Sequence, residues 1–425
     1  MNIKRLLLKN FRNIENGIFE LSPRFNVVIG HNGTGKSTLL HAMQVATGAF
    51  FLGLPRVNRR HIQENEIRFT INLKSKQSEY FTPTIEEATG HINGSEEFTW
   101  RRVIPEYGRA TSAKAEDVGQ IRELAERYSK SLNDTRRPLL PLISFYGVKQ
   151  LGGNVVRKKW IKKNRVIIRD GYYNALGAKS DENPFTQWFY YYREELKDGL
   201  EFKGTYEAVI EAIETAIPYL KNVSFDNFRL ELVADCEIEG QPTKRLPHSL
   251  MSDGVKRMLG IVTDIAYRCV VLNGFLGNNA VKESRGLVMI DELDLHLHPT
   301  WQKQVVGDLK RAFPKIQFVA TTHSPFIVQS LKSDELINLD KLSDVEPLDL
   351  SLEEVAEEIM GVDDSFANEN TKMESISSDY LYTLSELKKG DKSKETKLDE
   401  LEAKISDPSI RAFLKMKRME RTVKQ

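Results

Sequence analysis

A glycine-rich segment, GHNGTGKST at residues 30–38, separates the apolar run FNVVI from a helical pattern that starts at Lys36. It matches GxxxxGK(S/T), in which glycines let the backbone wrap the β- and γ-phosphates of a nucleotide so that N–H groups point inward. The ammonium of Lys36 neutralises phosphate charge there, and the hydroxyl of Ser37 can ligate Mg²⁺. The segment predicts a site for ATP and Mg²⁺ formed by Asn32, Gly33, Thr34, Gly35, Lys36, Ser37 and Thr38.

The segment LVMIDE at residues 287–292 is an apolar strand pattern that ends in two carboxylates. Such an end places both acids at the edge where a parallel sheet binds ligands, which is the Walker B arrangement. We expect Asp291 to hold Mg²⁺ and Glu292 to polarise the attacking water as a general base. Taken alone, an apolar run followed by Asp-Glu is more often a strand that runs into solvent. Its pairing with the glycine-rich segment favours the catalytic interpretation.

Two other segments carry weaker signals. Ser252 and Gly254, in LMSDGVKR, open an apolar helix with a turn that suits an anion. His323, in ATTHSP, follows an apolar strand pattern on the side of the γ-phosphate. Each segment alone is more often structural, as an ordinary helix cap or a histidine in a turn.

The four segments in this order resemble the head of ABC-type ATPases, with Ser252 and Gly254 in the signature and His323 as the switch histidine. LKNFRN at 8–13 and DELDLHLHP at 291–299 are similar to segments of the soluble branch that includes Rad50, RecF, OLD-type ATPases and structural-maintenance-of-chromosomes (SMC) heads. The resemblance implies that Arg12, in the first of these segments, lies near the phosphates.

The same resemblance makes the segment after Glu292 a D-loop. It also makes Gln150, which follows the strand pattern LPLISFY, a candidate Q-loop glutamine beside the metal. An AAA+ enzyme is the minor alternative. It would carry a polar sensor, commonly Asn, near His323 and a recognisable arginine finger, and neither is clear in the chain.

LPLISFYG at 140–147, RDGYYNAL at 169–176 and QWF at 187–189 narrow the resemblance to compact ATPases of bacterial defence and virulence loci, especially the ATPase subunit of the Septu antiphage system. That resemblance implies a separately encoded HNH nuclease that acts on DNA under control of this chain. The chain has no HNH pattern and no acidic Toprim cluster after His323, so we expect a slow ATPase that does not itself cut DNA. A RecF- or Rad50-like DNA repair ATPase without a nuclease partner and an ATP-gated oligomeric scaffold remain as alternatives.

One chain carries one P-loop and one signature. In ABC heads the signature serine reaches the γ-phosphate held by another subunit, so the resemblance implies a homodimer or higher homo-oligomer with ATP at the seam. A basic cluster around Trp160, at residues 157–169, is a candidate contact for DNA, with a solvated surface as the equally weighted alternative. The acidic stretch 344–364 and the basic end 411–424 are more often solvated faces than docking sites.

Strand and helix patterns alternate along much of the chain, which predicts a parallel core sheet. Strand patterns lie at 2–9, 18–29, 140–146, 286–291 and 316–322, and helical patterns begin at Lys36 and span 252–273 and 299–313. The predicted fold class is α/β, with a P-loop ABC-ATPase head at 1–150 and 246–345, an antiparallel β subdomain inserted at about 66–105, a lid at 151–245 with two helical patterns near 185–220, and a helical C-terminal module at 346–425.

The 425 residues, 40% of them hydrophobic, suit a large buried core. A formal net charge of +1 gives no overall reason to expect nucleic acid or an anionic membrane. Cys236 and Cys269 lack a second pair, which argues against a disulfide framework and a zinc hook. The first apolar run is too short for a secretory signal, and no run of about 18 apolar residues occurs, so we expect a cytoplasmic protein that does not span a membrane.

Overall fold

A computed structural model of the chain describes residues 1–72, 76–133, 137–148, 167–177, 183–199, 201–237, 242–340, 346–361, 376, 379–384, 392–405, 411 and 414–418. Its contacts divide the chain into a first unit, Met1–Met360, and a second unit, Gly361–Gln425.

The strands in chain order are β1 (Asn2–Phe11), β2 (Ile14–Glu20), β3 (Phe25–Ile29), β4 (Phe69–Ile71), β5 (Ser78–Tyr80), β6 (Thr84–His91), β7 (Phe98–Ile104), β8 (Leu142–Tyr146), β9 (Leu220–Asp226), β10 (Glu231–Cys236), β11 (Lys244–Pro247), β12 (Gly286–Ile290), β13 (Ile316–Thr321) and β14 (Leu336–Asn338). The α-helices are α1 (Lys36–Gly48), α2 (Ala115–Lys130), α3 (Ile167–Gly171), α4 (Asn183–Lys197), α5 (Thr205–Ala216), α6 (Asp253–Asn273), α7 (Ala280–Glu283), α8 (Pro299–Gln302), α9 (Val305–Ala312), α10 (Pro325–Val328), α11 (Leu352–Glu354) and α12 (Lys392–Ala403).

The core is a five-stranded parallel sheet in the order β14-β3-β13-β12-β8. Every residue of β3, β8, β12 and β13 is buried. Continuous apolar strands are typical of a parallel sheet covered on both faces, so the predicted α/β class is confirmed. The carboxyl ends of β3, β12 and β13 meet at one edge, which brings the glycine-rich loop, the two acids and the histidine segment together.

The predicted antiparallel subdomain is not a separate insertion. Strands β6 and β7 join the N-terminal hairpin in one sheet of order β2-β1-β6-β7, and β4 and β5 form a separate two-stranded sheet. This happens because β1 and β6 each bury one face, with half-buried or exposed residues on the other, and pair antiparallel along most of their length. Helix α1 contacts β1, β6 and β7 of this sheet and β12 and β13 of the parallel sheet.

Two predicted elements are interrupted. The strand expected over 18–29 breaks between β2 and β3 at Pro23. Proline has no backbone N–H to donate to a neighbouring strand, and Pro23 lies where the chain passes from one sheet to the other. The helix expected over 299–313 divides into α8 and α9 at a turn formed by Lys303 and Gln304, where Gln304 N donates to Trp301 O (2.9 Å).

The two helical patterns near 185–220 are present as α4 and α5. The patterns did not predict the three-stranded antiparallel sheet β11-β10-β9 that follows them. Helix α5 packs against α6 and α9, so this part of the expected lid is joined to the head by helix contacts.

The segment Asp253–Glu283 is long and apolar enough to pass as a membrane span, with a mean hydropathy of 1.4. Yet 83% of its most apolar 18-residue stretch is buried inside the protein, as is usual for the core helix of a globular unit. Its Cys269 is a free thiol, and burial raises the pKa of that thiol to about 12.

Composition places the start of the C-terminal module near residue 346, whereas the contacts place the division after Met360. Residues 346–360 belong to the first unit: Gln329 Nε2 donates to Leu350 O and Asn338 Nδ2 donates to Ile359 O, both at 2.9 Å. In the second unit, a small apolar cluster is formed by Tyr380, Leu384, Leu398, Leu401, Ile405 and Leu414.

Candidate nucleotide-binding site

The loop between β3 and α1 has the backbone that a phosphate-binding turn needs. Gly30, Gly33 and Gly35 have φ angles of 147°, 88° and 116°, which residues with a Cβ rarely adopt. A Cβ at Gly30 would also lie 2.6 Å from Thr34 Oγ1. That hydroxyl donates to His31 O (2.9 Å), so the loop closes on itself.

Lys36 holds its ammonium inside this loop. Its Nζ donates to Gly30 O (2.6 Å) and His31 O (3.0 Å), and the side chain is buried. Burial lowers the pKa of Lys36, while the carboxylates of Asp340, Asp291 and Glu292 act in the opposite direction. A cation held among backbone carbonyls at the start of a helix is suited to phosphate oxygens.

Ser37 faces the first Walker B acid. Its Oγ lies 3.4 Å from both Oδ1 and Oδ2 of Asp291. A hydroxyl and a carboxylate that close together, at an exposed strand edge, supply the hard oxygen ligands that Mg²⁺ prefers. The residues therefore fit the predicted metal.

Thr321, at the end of β13, is a site residue that the sequence patterns did not single out. Its Oγ1 donates to Asp291 Oδ1 (2.7 Å) and accepts from the backbone N–H of Glu292 (2.8 Å). One hydroxyl thus orients both Walker B residues, and Glu292 has a left-handed backbone (φ 52°). The available signal was its position beside the predicted histidine, at the end of a strand next to β12.

His323 is joined to the segment after Glu292 through Asp294. Asp294 Oδ1 accepts from Thr322 Oγ1 (2.6 Å) and from the His323 N–H (3.2 Å). Gln302 adds a second tie, because it accepts from Ser324 Oγ (2.6 Å) and its Nε2 donates to a carbonyl of the same segment. The imidazole of His323 stays exposed.

The predicted signature meets the D-loop segment through its glycine. Gly254 is buried, and a Cβ there would lie 2.2 Å from His296 O, so only glycine fits. Ser252 is the N-cap of α6, but its exposed side chain accepts no cap hydrogen bond. One turn further, Arg257 Nη2 donates to Asp291 O (2.7 Å), and burial lowers the pKa of Arg257.

Arg12 does not reach the glycine-rich loop directly. Its Nη2 donates to Glu66 Oε1 (2.9 Å), an oxygen it shares with Arg60 Nη2 (2.5 Å). The neighbouring Asn13 makes the loop contact instead: Asn13 Nδ2 donates to Gly33 O at 2.9 Å.

Thr38 Oγ1 donates to Asn13 Oδ1 (3.1 Å), so this hydroxyl braces the loop rather than standing free for a phosphate. Asn32 is exposed at the loop surface. A cavity of about 430 Å³ is lined by Arg12, Asn13, Asn65, Ile67 and Phe69.

Gln150 and most of the basic cluster at 157–169 lie outside the described residues. Of that cluster, Arg169 is described, and its Nε donates to Asp170 Oδ1 (2.7 Å).

A family model described as an AAA domain matches residues 5–221, about half of the chain. A second AAA-domain model, whose description also names the AbiEii toxin of a type IV TA system, matches residues 225–329. The chain belongs to the AAA-domain family of ATPases. Membership of this ATPase family implies ATP binding, and the motif order identifies the ABC type within it.

This AAA-domain ATPase is 26% identical over 370 residues to the retron Vc95 probable ATPase of Vibrio cholerae serotype O1 biovar El Tor, covering 74% of this chain and 69% of that protein. It is 37% identical over 131 residues to the Septu protein PtuA of Bacillus thuringiensis, covering 27% of this chain and 32% of that protein. An SMC head domain from Thermotoga maritima aligns with 82% of this chain and 97% of its own, at 15% identity and a TM-score of 0.46. The expected resemblance to the Septu ATPase subunit is confirmed, and the similarity to the retron ATPase covers more of the chain.

Proposed function

We propose that this chain binds ATP with Mg²⁺ and hydrolyses it slowly. The observation that carries the proposal is the 3.4 Å approach of Ser37 Oγ to both carboxylate oxygens of Asp291, at an edge where Thr321 holds Asp291 and the amide of Glu292. Ser37 and Asp291 would hold the metal. When bound, Mg²⁺ neutralises charge on the β- and γ-phosphates.

The chain's own groups divide the remaining work. Lys36 neutralises phosphate charge from within the loop. Glu292 acts as the general base toward the attacking water, with its backbone N–H held by Thr321. His323 keeps an exposed imidazole while its amide is tied to Asp294, which suits a contact with the γ-phosphate.

In this proposal, a second copy of the chain completes the ATP site. Ser252 is exposed and makes no cap hydrogen bond, so its hydroxyl is available to a ligand from outside its own helix. The contact of Gly254 with His296 O fixes the signature to the D-loop segment. One P-loop and one signature per chain then require a homodimer or a higher homo-oligomer.

The retron and Septu relatives support a role in antiphage defence, with this chain as the ATPase subunit that regulates a separately encoded HNH nuclease acting on DNA. ATP occupancy and hydrolysis would change the dimer, and that change would reach the nuclease. Contact with DNA through residues 157–169 stays part of this proposal. We place the complex in the cytoplasm.

The first test compares Lys36→Ala with Glu292→Gln. Lys36→Ala should weaken ATP binding by about 100-fold, because a charge-assisted contact with phosphate is lost. Glu292→Gln should bind ATP normally and lower kcat by about 10²- to 10⁴-fold. Lys203→Ala, an exposed lysine, is the matched control. The proposal fails if Glu292→Gln leaves both ATP turnover and protection from phage intact.

The second test is co-purification with the product of the neighbouring gene, followed by DNA cleavage with and without ATP. We expect cleavage only by the complex, with a dependence on ATP. A chain that binds DNA and hydrolyses ATP with no partner would favour a repair ATPase of the RecF kind. Assembly lost in Lys36→Ala, with Glu292→Gln fully active in defence, would favour an ATP-gated scaffold.

A further inference from the structure

Asp340, which follows β14, contacts the outer side of the glycine-rich loop. Its Oδ2 accepts from the backbone N–H of His31 (2.7 Å) and lies 2.8 Å from His31 Nδ1. The carboxylate is largely buried, with 14% of the side chain exposed, whereas the imidazole is exposed. A single oxygen therefore fixes both the backbone and the ring of a residue inside the loop.

The loop and the residues after β14 also lie in close contact at Gly30. A Cβ there would lie 3.2 Å from Asp340 Oδ2 and 3.2 Å from Leu339 Cβ. Strand β14 is paired with β3, and Leu339 N continues that ladder by donating to Ile29 O (3.1 Å). The position of the loop is thus set from two strands.

From Asp340 a chain of hydrogen bonds continues away from the loop. Its backbone N–H donates to Asn338 Oδ1 (2.9 Å), and Asn338 Nδ2 donates to Ile359 O (2.9 Å). Ile359 is the last residue of the short π-helix Val355–Ile359 and is buried. We call residues 346–360, which bear six carboxylates and no Lys or Arg, the acidic segment.

We propose that Asp340 is a positioning residue of the nucleotide site, and that through Asn338 it couples occupancy of the loop to the acidic segment. The inference rests on the proposed function and adds a route by which ATP occupancy of the loop reaches the acidic segment. If ATP binding restricts the motion of His31, it also restricts Asp340, which is hydrogen-bonded to it. The acidic segment, which is joined to Asp340 through Asn338, then exchanges its amide hydrogens more slowly in the ATP-bound state.

Three variants separate the parts of this route. Asp340→Ala removes the acceptor for the His31 N–H. Asp340→Asn keeps an oxygen acceptor without the charge. Asn338→Asp keeps an oxygen for the Asp340 N–H but has no amide to donate to Ile359 O. The exposed carboxylate of Asp349, within the same segment, gives the control Asp349→Asn.

Two quantities are measured on the full chain: the Kd for ATP with Mg²⁺ by calorimetry, and amide hydrogen exchange of residues 351–359 with and without ATP. Asp340→Ala should weaken ATP binding about tenfold, since the His31 N–H loses its charged acceptor. Asp340→Asn should recover most of that loss. Asn338→Asp should bind ATP within about twofold of the wild type, yet lose the ATP-dependent slowing of exchange that the wild type shows.

Wild-type affinity in Asp340→Ala would overturn the positioning role, as would equal losses in the Ala and Asn variants. An ATP-dependent change of exchange that persists in Asn338→Asp would overturn the coupling. If Asp340→Ala does not fold, Asn338→Asp alone still decides the coupling. A wild type that does not bind ATP removes the proposed function itself, which is a different result from a wild type that binds ATP with no response in residues 351–359.

Discussion

Helix α1 lies between two regions in which carboxylates have opposite environments. On one side it contacts β12 and β13, where Asp291 stands half-buried just beyond the end of a strand. On the other side it contacts β6 and β7, where Glu86 lies within a strand and is 1% exposed.

Asp291 accepts hydrogen bonds from Ser37 and Thr321, whereas neither carboxyl oxygen of Glu86 has a partner among the described residues. Arg102 is directly opposite Glu86 in the β6–β7 register but does not bond it. Burial raises the pKa of Glu86 well above its usual value, although Arg102 acts in the opposite direction. Position within the sheet, more than residue type, decides whether an acid is available for ligands or is a cost to stability.

The largest effect expected from this comparison is on Asp291. Asp291→Asn should lower ATP hydrolysis about 1000-fold, because the proposed Mg²⁺ would supply several kcal/mol of charge stabilisation. The free energy of unfolding should not fall, since the acid lies at an open edge. A steady-state ATPase assay and chemical denaturation measure the two, with Asp349→Asn as the control. Hydrolysis within tenfold of the wild type would contradict the assigned role.

A smaller effect is expected at Thr321, which holds Asp291 without being a proposed ligand. Thr321→Val keeps the shape and removes the hydroxyl, so kcat should fall about 10- to 100-fold, as when an outer-sphere partner is lost. Thr322→Val is a poor control because Thr322 bonds Asp294; Thr89→Val, in the antiparallel sheet, is a better one. Titration with Mg²⁺ should show a weaker apparent affinity, and unchanged metal dependence would count against the contact.

For Glu86, the comparison predicts a gain in stability. Glu86→Gln replaces a buried carboxyl, which has no hydrogen-bond partner in the described part of the chain, with a neutral side chain of similar shape. The free energy of unfolding at pH 8 should therefore rise by about 1 kcal/mol. ATP hydrolysis should be unchanged. Denaturant unfolding measures the gain, and a loss of stability would mean that the carboxylate is charged and paired with Arg102 after all.

The smallest effect is the pH dependence of that difference. The pKa of Glu86 is raised in the folded state, so the folded protein keeps a proton that the unfolded chain releases. Its stabilising contribution is therefore fully present below the ordinary glutamate pKa and is lost as pH rises toward the folded value. The advantage of Glu86→Gln over the wild type should grow between pH 5 and pH 8. An advantage that shrinks over this range would show that the sign is wrong.

Much of the core could be predicted from local patterns. The apolar runs FNVVI, GLVMI and IQFVAT each became a buried parallel strand, and α1 and α6 begin within one residue of the expected positions. The antiparallel sheet β2-β1-β6-β7 was harder to predict from the sequence. Strands β1 and β6 are separated by more than 60 residues, and only their pairing shows that they share a sheet. The sheet β9–β11 was not predicted, although β10 alternates half-buried and buried residues, because its segment Leu232–Ala234 reads in the sequence as an unbroken apolar run.

By itself, the sequence determined the glycine-rich loop between β3 and α1, the two acids after β12, and the α/β class. These depend on local backbone geometry and on the rule that parallel strands present their ends at one edge. Only the tertiary structure decided that Thr321 holds Asp291 and the amide of Glu292, that Asp340 braces the loop from 309 positions away, and that Glu86 is buried with no hydrogen-bond partner among the described residues. Such contacts join residues distant along the chain, and the packing of strands and helices, which no local pattern encodes, selects them.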